Sequence, residues 1–298
     1  MNKVKLTIKT ITPLIIKSAE GFSAVEFFLG KENFYHFDIK KILQSEFAES
    51  FKQVIDKQVE SLSKEKDIPK FIELQNFYRE NVFKLNRFIL EKIPLSPNVD
   101  WLNVKTVNIN KFIRYFDWDL KKEVPFIPGS SIKGAFLEAY FREHNIWDDK
   151  LQNKISNQIG FTDFYFKSFK NRIEKLTRYN IKKNKAQTPT YAEIIEGEAE
   201  GELFFPVREN NKNIELTKQK TLELLEKKSD YFQKKRQRFL SSFSQEFRQK
   251  IRTEEGLVMP LGFGSGSYQK PGSQPVTYTS FNQQRPYDPV GVVVLKKI

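Results

Sequence analysis

Side chains able to do acid–base or metal chemistry are few. The 298-residue sequence has two histidines, His36 and His144, and no cysteine. That excludes a thiolate nucleophile, a disulfide framework, a thiolate zinc site and an iron–sulfur cluster. A three-histidine metal site is excluded too. The sequence does hold places where backbone and cation can meet an anion. In Pro125-Phe-Ile-Pro-Gly-Ser-Ser-Ile-Lys-Gly-Ala135, two prolines bracket an extended piece. Gly129 permits a turn, and Ser130 or Ser131 can cap a helix. With Lys133 in its first turn, such a start offers N–H groups and a positive dipole end to a phosphate. An ordinary capped helix fits the same residues, and the Gly-x4-Gly-Lys-Ser/Thr order of a Walker A loop is absent. Leu261-Gly-Phe-Gly-Ser-Gly-Ser-Tyr-Gln-Lys270 alternates Gly262, Gly264 and Gly266 ahead of Tyr268 and Lys270. Its backbone can approach a ligand closely, with a stacking ring and a charge beside it. A flexible turn has the same composition. The spacing matches neither a dinucleotide fingerprint nor a Gly-x-Ser-x-Gly elbow.

The charge balance points to a class of partner. Lys and Arg number 50 against 37 Asp and Glu, a net +13 with pI near 9.5. The excess is concentrated. Lys167 to Lys185 holds eight bases and one acid; Arg208 to Arg252 holds thirteen bases and six acids. Clustered excess suits a polyanion, because neutralised phosphates release counterions. A lysine-rich solubilising surface is the plainer reading. No apolar run approaches the ~20 residues of a membrane span, and the charged, alternating start reads as a strand rather than a leader. A cytoplasmic protein is expected.

The elements follow from periodicity. Residues 3–16 alternate Val4, Leu6, Ile8 against Lys3, Lys5, Thr7, Lys9, a half-buried strand interrupted by Pro13. Residues 27–29 and 34–37 flank Gly30–Asn33 as a hairpin, which makes His36 a strand side chain rather than a catalytic base. Residues 39–62 switch to helical spacing, and 68–92 repeat it with Phe71, Leu74, Phe77, Tyr78, Phe83, Leu85, Phe88 and Ile89 until Pro94 and Pro97. Short strand-like runs occupy 101–116. After the helix from Ser130, residues 160–169 read as an aromatic strand, and Tyr191–Phe205 as a hairpin turning near Gly197. Leu216–Ile251 has helical spacing, and Val290–Leu295 is a last strand.

Taken together, the motifs resemble one family. Thr10-Ile-Thr-Pro-Leu-Ile-Ile-Lys-Ser-Ala-Glu-Gly21 resembles the opening of the RAMP superfamily of CRISPR-associated proteins. Phe126–Ala135 is similar to that superfamily's Ile-Pro-Gly-Ser-Ser-x-Lys-Gly segment, and Gly262–Lys270 to its C-terminal glycine-rich loop. Gly160–Phe164 and the Tyr191–Phe205 segment resemble the strands between them. Order and spacing fit best the fifth-subunit family of the Csm, subtype III-A, effector complexes. The opening departs from the pattern, with Lys17-Ser18-Ala19 where His-Ile-Gly-Ser is common.

The resemblance implies an α+β fold of two ferredoxin-like, RRM-type domains with helical insertions. Residues 1–160 would form the first, with an insertion at about 39–93. Residues 161–298 would form the second, with an insertion at about 208–252 and the glycine-rich loop 261–270. It implies a non-catalytic, CRISPR RNA-binding subunit in antiviral defence, capping the backbone filament near the RNA 3′ end. Implied partners are CRISPR RNA, the repeating backbone and small subunits and target RNA, with no cofactor and no membrane. The RNA-facing residues would be Lys17, Ser130, Ser131, Lys133, Gly262, Gly264, Gly266, Tyr268 and Lys270, with Lys167, Lys170 and Arg172 weaker. RRM-type sheets hold single strands through such cations, bare N–H groups and aromatic faces. Three rivals stay open. A CRISPR RNA-processing endoribonuclease of the same superfamily would need His36, His144 or a Tyr/Lys substitute for acid–base work. Another type III RAMP subunit, of the repeating backbone type, would need a catalytic Asp in an early loop, and the nearest early one, Asp38, sits past a strand; a scaffold touching only proteins would need no such group.

Overall fold

The computed structural model describes residues 2–64, 72–100, 108–180, 185–206, 212–226, 244–262, 276–280 and 289–298. In chain order, β1 (Asn2–Thr10), β2 (Phe22–Ser23), β3 (Phe27–Leu29) and β4 (Asn33–Phe37) precede α1 (Ile39–Ile42), α2 (Ala48–Lys64) and α3 (Ile72–Leu85). Then come β5 (Ile89–Pro94), β6 (Asn108–Ile109), β7 (Arg114–Asp117), β8 (Lys122–Ile127), α4 (Gly129–Glu143) and α5 (Asp149–Ser156). They are followed by β9 (Gly160–Phe161), β10 (Phe164–Asn180), β11 (Lys185–Phe205), α6 (Lys212–Glu226) and α7 (Gln245–Thr253). The remaining strands are β12 (Leu257–Pro260), β13 (Val276–Ser280) and β14 (Val292–Lys297). The fold is mixed α+β, as expected.

The main sheet runs β12-β14-β1-β11-β10-β8-β7, with β9 added on β11 and β13 on β10. β1 is antiparallel to both neighbours, Leu6 facing Gly201 of β11 and Lys297 of β14. Its period-two pattern explains the placement, because Leu6 and Ile8 are fully buried while Lys3 and Lys5 face out. Against one face lies α4, whose Ile132, Phe136, Ala139 and Tyr140 recur at helical spacing and join the largest core cluster. Ile132 and Phe136 each contribute roughly 1.5–3 kcal/mol by leaving water.

Most of residues 39–93, expected as the first insertion, joins β3 and β4 in a small layer of its own. β3, β4 and β5 form a three-stranded sheet, and Phe51, Leu74, Phe77, Tyr78 and Leu85 of α2 and α3 pack on it through Phe28 and Phe37. The Phe37 and Tyr78 rings stack at 4.7 Å. Two expectations change here. The second helix does not reach residue 92: it ends at Leu85, and Ile89–Pro94 pairs with β4 through Phe34↔Ile93 and Tyr35↔Lys92. The alternation Ile89, Glu91, Ile93 suits that edge, and tertiary pairing overrides the helical spacing. Phe83, placed in the core stripe by spacing, is 93% exposed.

A larger correction concerns Tyr191–Phe205, which is no hairpin. It belongs to one continuous strand, β11, paired with β10 over most of both strands. Gly197 sits where a Cβ would come 2.2 Å from the Ser168 carbonyl oxygen, beside the bulge between Phe166 and Ser168. Close backbone approach, not chain reversal, is why glycine stands there. Within residues 208–252, α6 and α7 are helical as the spacing predicts; residues 227–243 between them lie outside the described residues.

Candidate nucleic-acid interface

The helix start at Gly129 is built by its neighbours. β8 leads into Pro128, and a Cβ on Gly129 would lie 2.3 Å from the Phe161 carbonyl oxygen, so only glycine fits. The N-cap residue is Pro128, and neither Ser130 nor Ser131 caps the helix. That corrects the expected role of the serines. The reason lies in the strand segment 160–164. There the Asp163 carboxylate accepts from the Gly129 N–H at 2.8 Å, and the Ser131 N–H donates to the Pro128 carbonyl at 2.9 Å. Two of the N–H groups offered to an anion are therefore already engaged. Ser130 is exposed, and Ser131 and Lys133 are half-buried.

The opening motif is held by its threonines. The Thr10 hydroxyl accepts from the Gly197 N–H at 2.9 Å, and the Thr12 hydroxyl from the Val292 N–H at 2.9 Å. Beyond Pro13, Leu14 exchanges backbone bonds with Ile195 at 2.8 and 2.9 Å. The segment then emerges, leaving Lys17 exposed and bridged to Phe112. Gly262 meets this segment. Its φ is +80°, and a Cβ would lie 2.1 Å from the Ile15 carbonyl oxygen. Leu14, Ile16, Ile132 and Leu261 share one core cluster, and α4 packs on β12. The structure thus brings the opening, the Gly129–Ala135 helix start and the first residue of the glycine-rich loop onto one core. Gly264, Gly266, Tyr268 and Lys270 lie outside the described residues.

The basic run on β10 is less free than its count implies. Lys167 pairs with Glu200 at 3.0 Å, and Arg172 with Glu174 at 2.9 Å and Glu196 at 3.1 Å. β11 lays carboxylates across from the bases of β10, and Lys3 of β1 meets Glu202 at 2.6 Å. Such cross-strand pairs are invisible to a count along the chain. Lys170 is exposed on the same strand.

Sequence reasoning missed a second group of residues. A cavity of about 280 Å³ opens beside Lys17, lined by Ser18, Glu20, Phe22, His36, Lys111 and Glu123 among others. Lys111 Nζ lies 5.5 Å from the centre of the Phe22 ring and 2.7 Å from Glu123. Behind it Arg114 is paired with Glu91 at 2.8 Å and with the fully buried Glu193, which also accepts from the Phe112 N–H and Asn171. Burial, and the Lys111 and Arg114 charges, bring His36 down to about 4, so its imidazole is neutral near pH 7. The Lys111 hydrogen bond holds Glu123 below the usual carboxylate range. No spacing in the sequence joins residues 18–36 to 111–123. On the sheet edge, Phe116 and Trp118 stack edge-to-face at 4.8 Å, and Trp118 is 81% exposed. No cluster of His, Asp and Glu able to hold a metal occurs among the described residues. Nor is any described helix long and apolar enough to cross a membrane.

Residues 7–267 match the RAMP superfamily. The chain belongs to the RAMP superfamily. Two solved structures share its RAMP fold over nearly the whole length. One is a chain of a Csm-crRNA-target RNA ternary complex of a type III-A CRISPR-Cas system, solved by cryo-EM. It has a TM-score of 0.61 and 14% identity, with 98% of this chain and 100% of that chain covered. The other is T. onnurineus Csm5, with TM-score 0.59, 15% identity and coverage of 97% and 99%. No curated protein sequence matches the chain.

Proposed function

We propose that this RAMP protein is a non-catalytic, CRISPR RNA-binding subunit of a type III-A Csm complex, capping the backbone filament near the RNA 3′ end. The observation that carries the reading is end-to-end correspondence of fold with a chain of a Csm-crRNA-target RNA complex. Its partners are then CRISPR RNA and neighbouring Csm subunits, in the cytoplasm. The interface would draw on Lys17, Gly262 and the Ser130–Lys133 turn, whose neighbours Ile16, Leu261 and Ile132 share one core. Two domains divided near residue 160 remain part of the proposal. Asp163 already occupies the Gly129 N–H, so contact with RNA at the helix start falls to the Ser130 hydroxyl and the Lys133 ammonium. Lys133→Glu should then weaken RNA binding by at least ~1 kcal/mol.

His36 in a polar cavity beside Lys111 favours a second reading, the processing endoribonuclease. Against it stands protonation. An imidazole titrating near 4 is almost never an imidazolium at neutral pH, and acid–base cleavage works best with a pKa near the operating pH. Incubating the purified chain with repeat-containing RNA in EDTA separates the two. Salt-dependent binding with intact RNA is expected. Specific cleavage that disappears in His36→Ala or His144→Ala would assign the enzyme.

A further inference from the structure

We infer that the cavity between the Lys17–Gly21 loop and β4 is a subsite for one unstacked guanine base. The inference rests on the single-stranded RNA reading above and adds a base preference to it. At about 280 Å³ the cavity is just below the roughly 300–1,000 Å³ of clefts that enclose drug-sized ligands. It has room for one planar base and not for a stretch of strand.

Its charges say which part of a nucleotide enters. Arg114 lies at the wall, but both terminal nitrogens are committed to Glu91 and Glu193. What remains is Lys111 against the carboxylates of Glu20, Glu26 and Glu123. One cation among three acids does not attract a phosphate. The phosphate stays outside, at the exposed Lys17, and the neutral base goes in. Carboxylates only accept hydrogen bonds, so the base edge facing them must donate. Guanine presents two parallel donors, N1–H and the N2 amino group. Adenine and cytosine set a ring acceptor beside their amino group, and uracil has a single N–H between two carbonyls. Guanine's other edge carries the O6 and N7 acceptors, which a lysine serves well. Lys111, which donates one of its three N–H groups to Glu123, has others to supply that donor. The His36 imidazole, which makes no hydrogen bond to any described residue, supplies a second. Phe22 and Phe112, both buried in the core, close the back of the cavity.

The test uses the full chain and the four nucleoside monophosphates, titrated by isothermal calorimetry. Guanosine monophosphate should bind about 5-fold or more tighter than the other three, the low end of what a matched base edge contributes. Lys111→Met and His36→Leu should remove the preference with circular dichroism unchanged. Glu20→Gln, on an exposed loop, should reduce it even if either core-side variant unfolds. Equal binding of all four, or a preference untouched by all three variants, overturns the inference. A uridine dodecamer and the same oligomer with one central guanosine supply the second arm. Tighter binding of the guanosine oligomer identifies an RNA base as the occupant. No gain there, with guanosine monophosphate still bound selectively, identifies a free nucleotide. If the uridine oligomer binds while guanosine monophosphate does not, the subsite falls and the RNA reading stands. If neither oligomer binds, it is the RNA reading that falls.

Discussion

The Asp163 carboxylate accepts a hydrogen bond from the Gly129 N–H at 2.8 Å, so a residue 34 positions away, in the link between β9 and β10, caps α4. Asp163→Ala should cost about 0.5–2 kcal/mol of stability, the usual range for losing a side-chain cap. Urea unfolding measures it. Under the proposed function the same change removes a negative charge from the helix start that carries Lys133. RNA binding at low salt should then tighten while stability falls. A variant that loses both would show that this helix start does not face phosphate.

Gly262 is the residue that fastens the glycine-rich loop to the opening segment. Its positive φ and its contact with the Ile15 carbonyl leave no room for a side chain. Gly262→Ala should destabilise by about 1–3 kcal/mol through strain and displacement. The melting temperature reads the loss. Under the proposed function RNA affinity should fall with it, since Lys17 lies two residues beyond Ile15. An unchanged melting temperature would mean the contact is not held in solution.

Glu193 is fully buried and depends on Arg114 for its counter-charge. Arg114→Met strands that carboxylate in the core beside Glu91 and should cost about 3–5 kcal/mol. The double change Arg114→Met with Glu193→Gln should recover part of the loss, because the uncompensated charge is gone. Denaturant midpoints for the two single variants and the double decide it.

His36 gives stability a pH dependence of definite sign. Its folded value, about 4, lies below the unfolded 6.5, so the unfolded chain takes up the proton first. Its contribution is complete above pH ~6.5 and is lost as pH falls toward 4, by up to roughly 3 kcal/mol. Burial raises the Glu91 carboxyl, which titrates with the opposite sign in both proteins. The difference between wild type and His36→Gln therefore isolates the histidine. Urea midpoints from pH 7 to 4.5 should converge for the two proteins. Parallel curves would remove His36 from the account.

Much of the frame was legible because it rests on local rules. The alternation of Leu6 and Ile8, the Gly30–Asn33 turn and the Ile132–Tyr140 stripe each carry their own signal, and the structure honours them. The errors came where a distant partner decides. Gly197 looks like a turn residue until Ser168 is placed against it. Ile89–Pro94 looks helical until β4 claims it. Lys167 and Arg172 of β10 look free until β11 supplies Glu200 and Glu196. The cavity was hidden for the same reason, since its walls come from residues 18–36 and 111–123. The RAMP motifs were read correctly as a set, yet their threonines and glycines turn out to hold backbone, which spacing alone could not say.

The position of β1 has a consequence for how the molecule is made. Its two hydrogen-bonding edges are filled by β11, near residue 200, and by β14, near residue 295. At roughly 5–20 residues per second of synthesis, β1 waits some 15–60 s for β14. Through that interval a strand carrying Leu6 and Ile8 has an open edge, the situation in which chains mispair with one another. The lysines at positions 3, 5 and 9 stand on that strand, and like-charged edges repel. Part of the net +13 therefore serves the nascent chain, before the fold is complete.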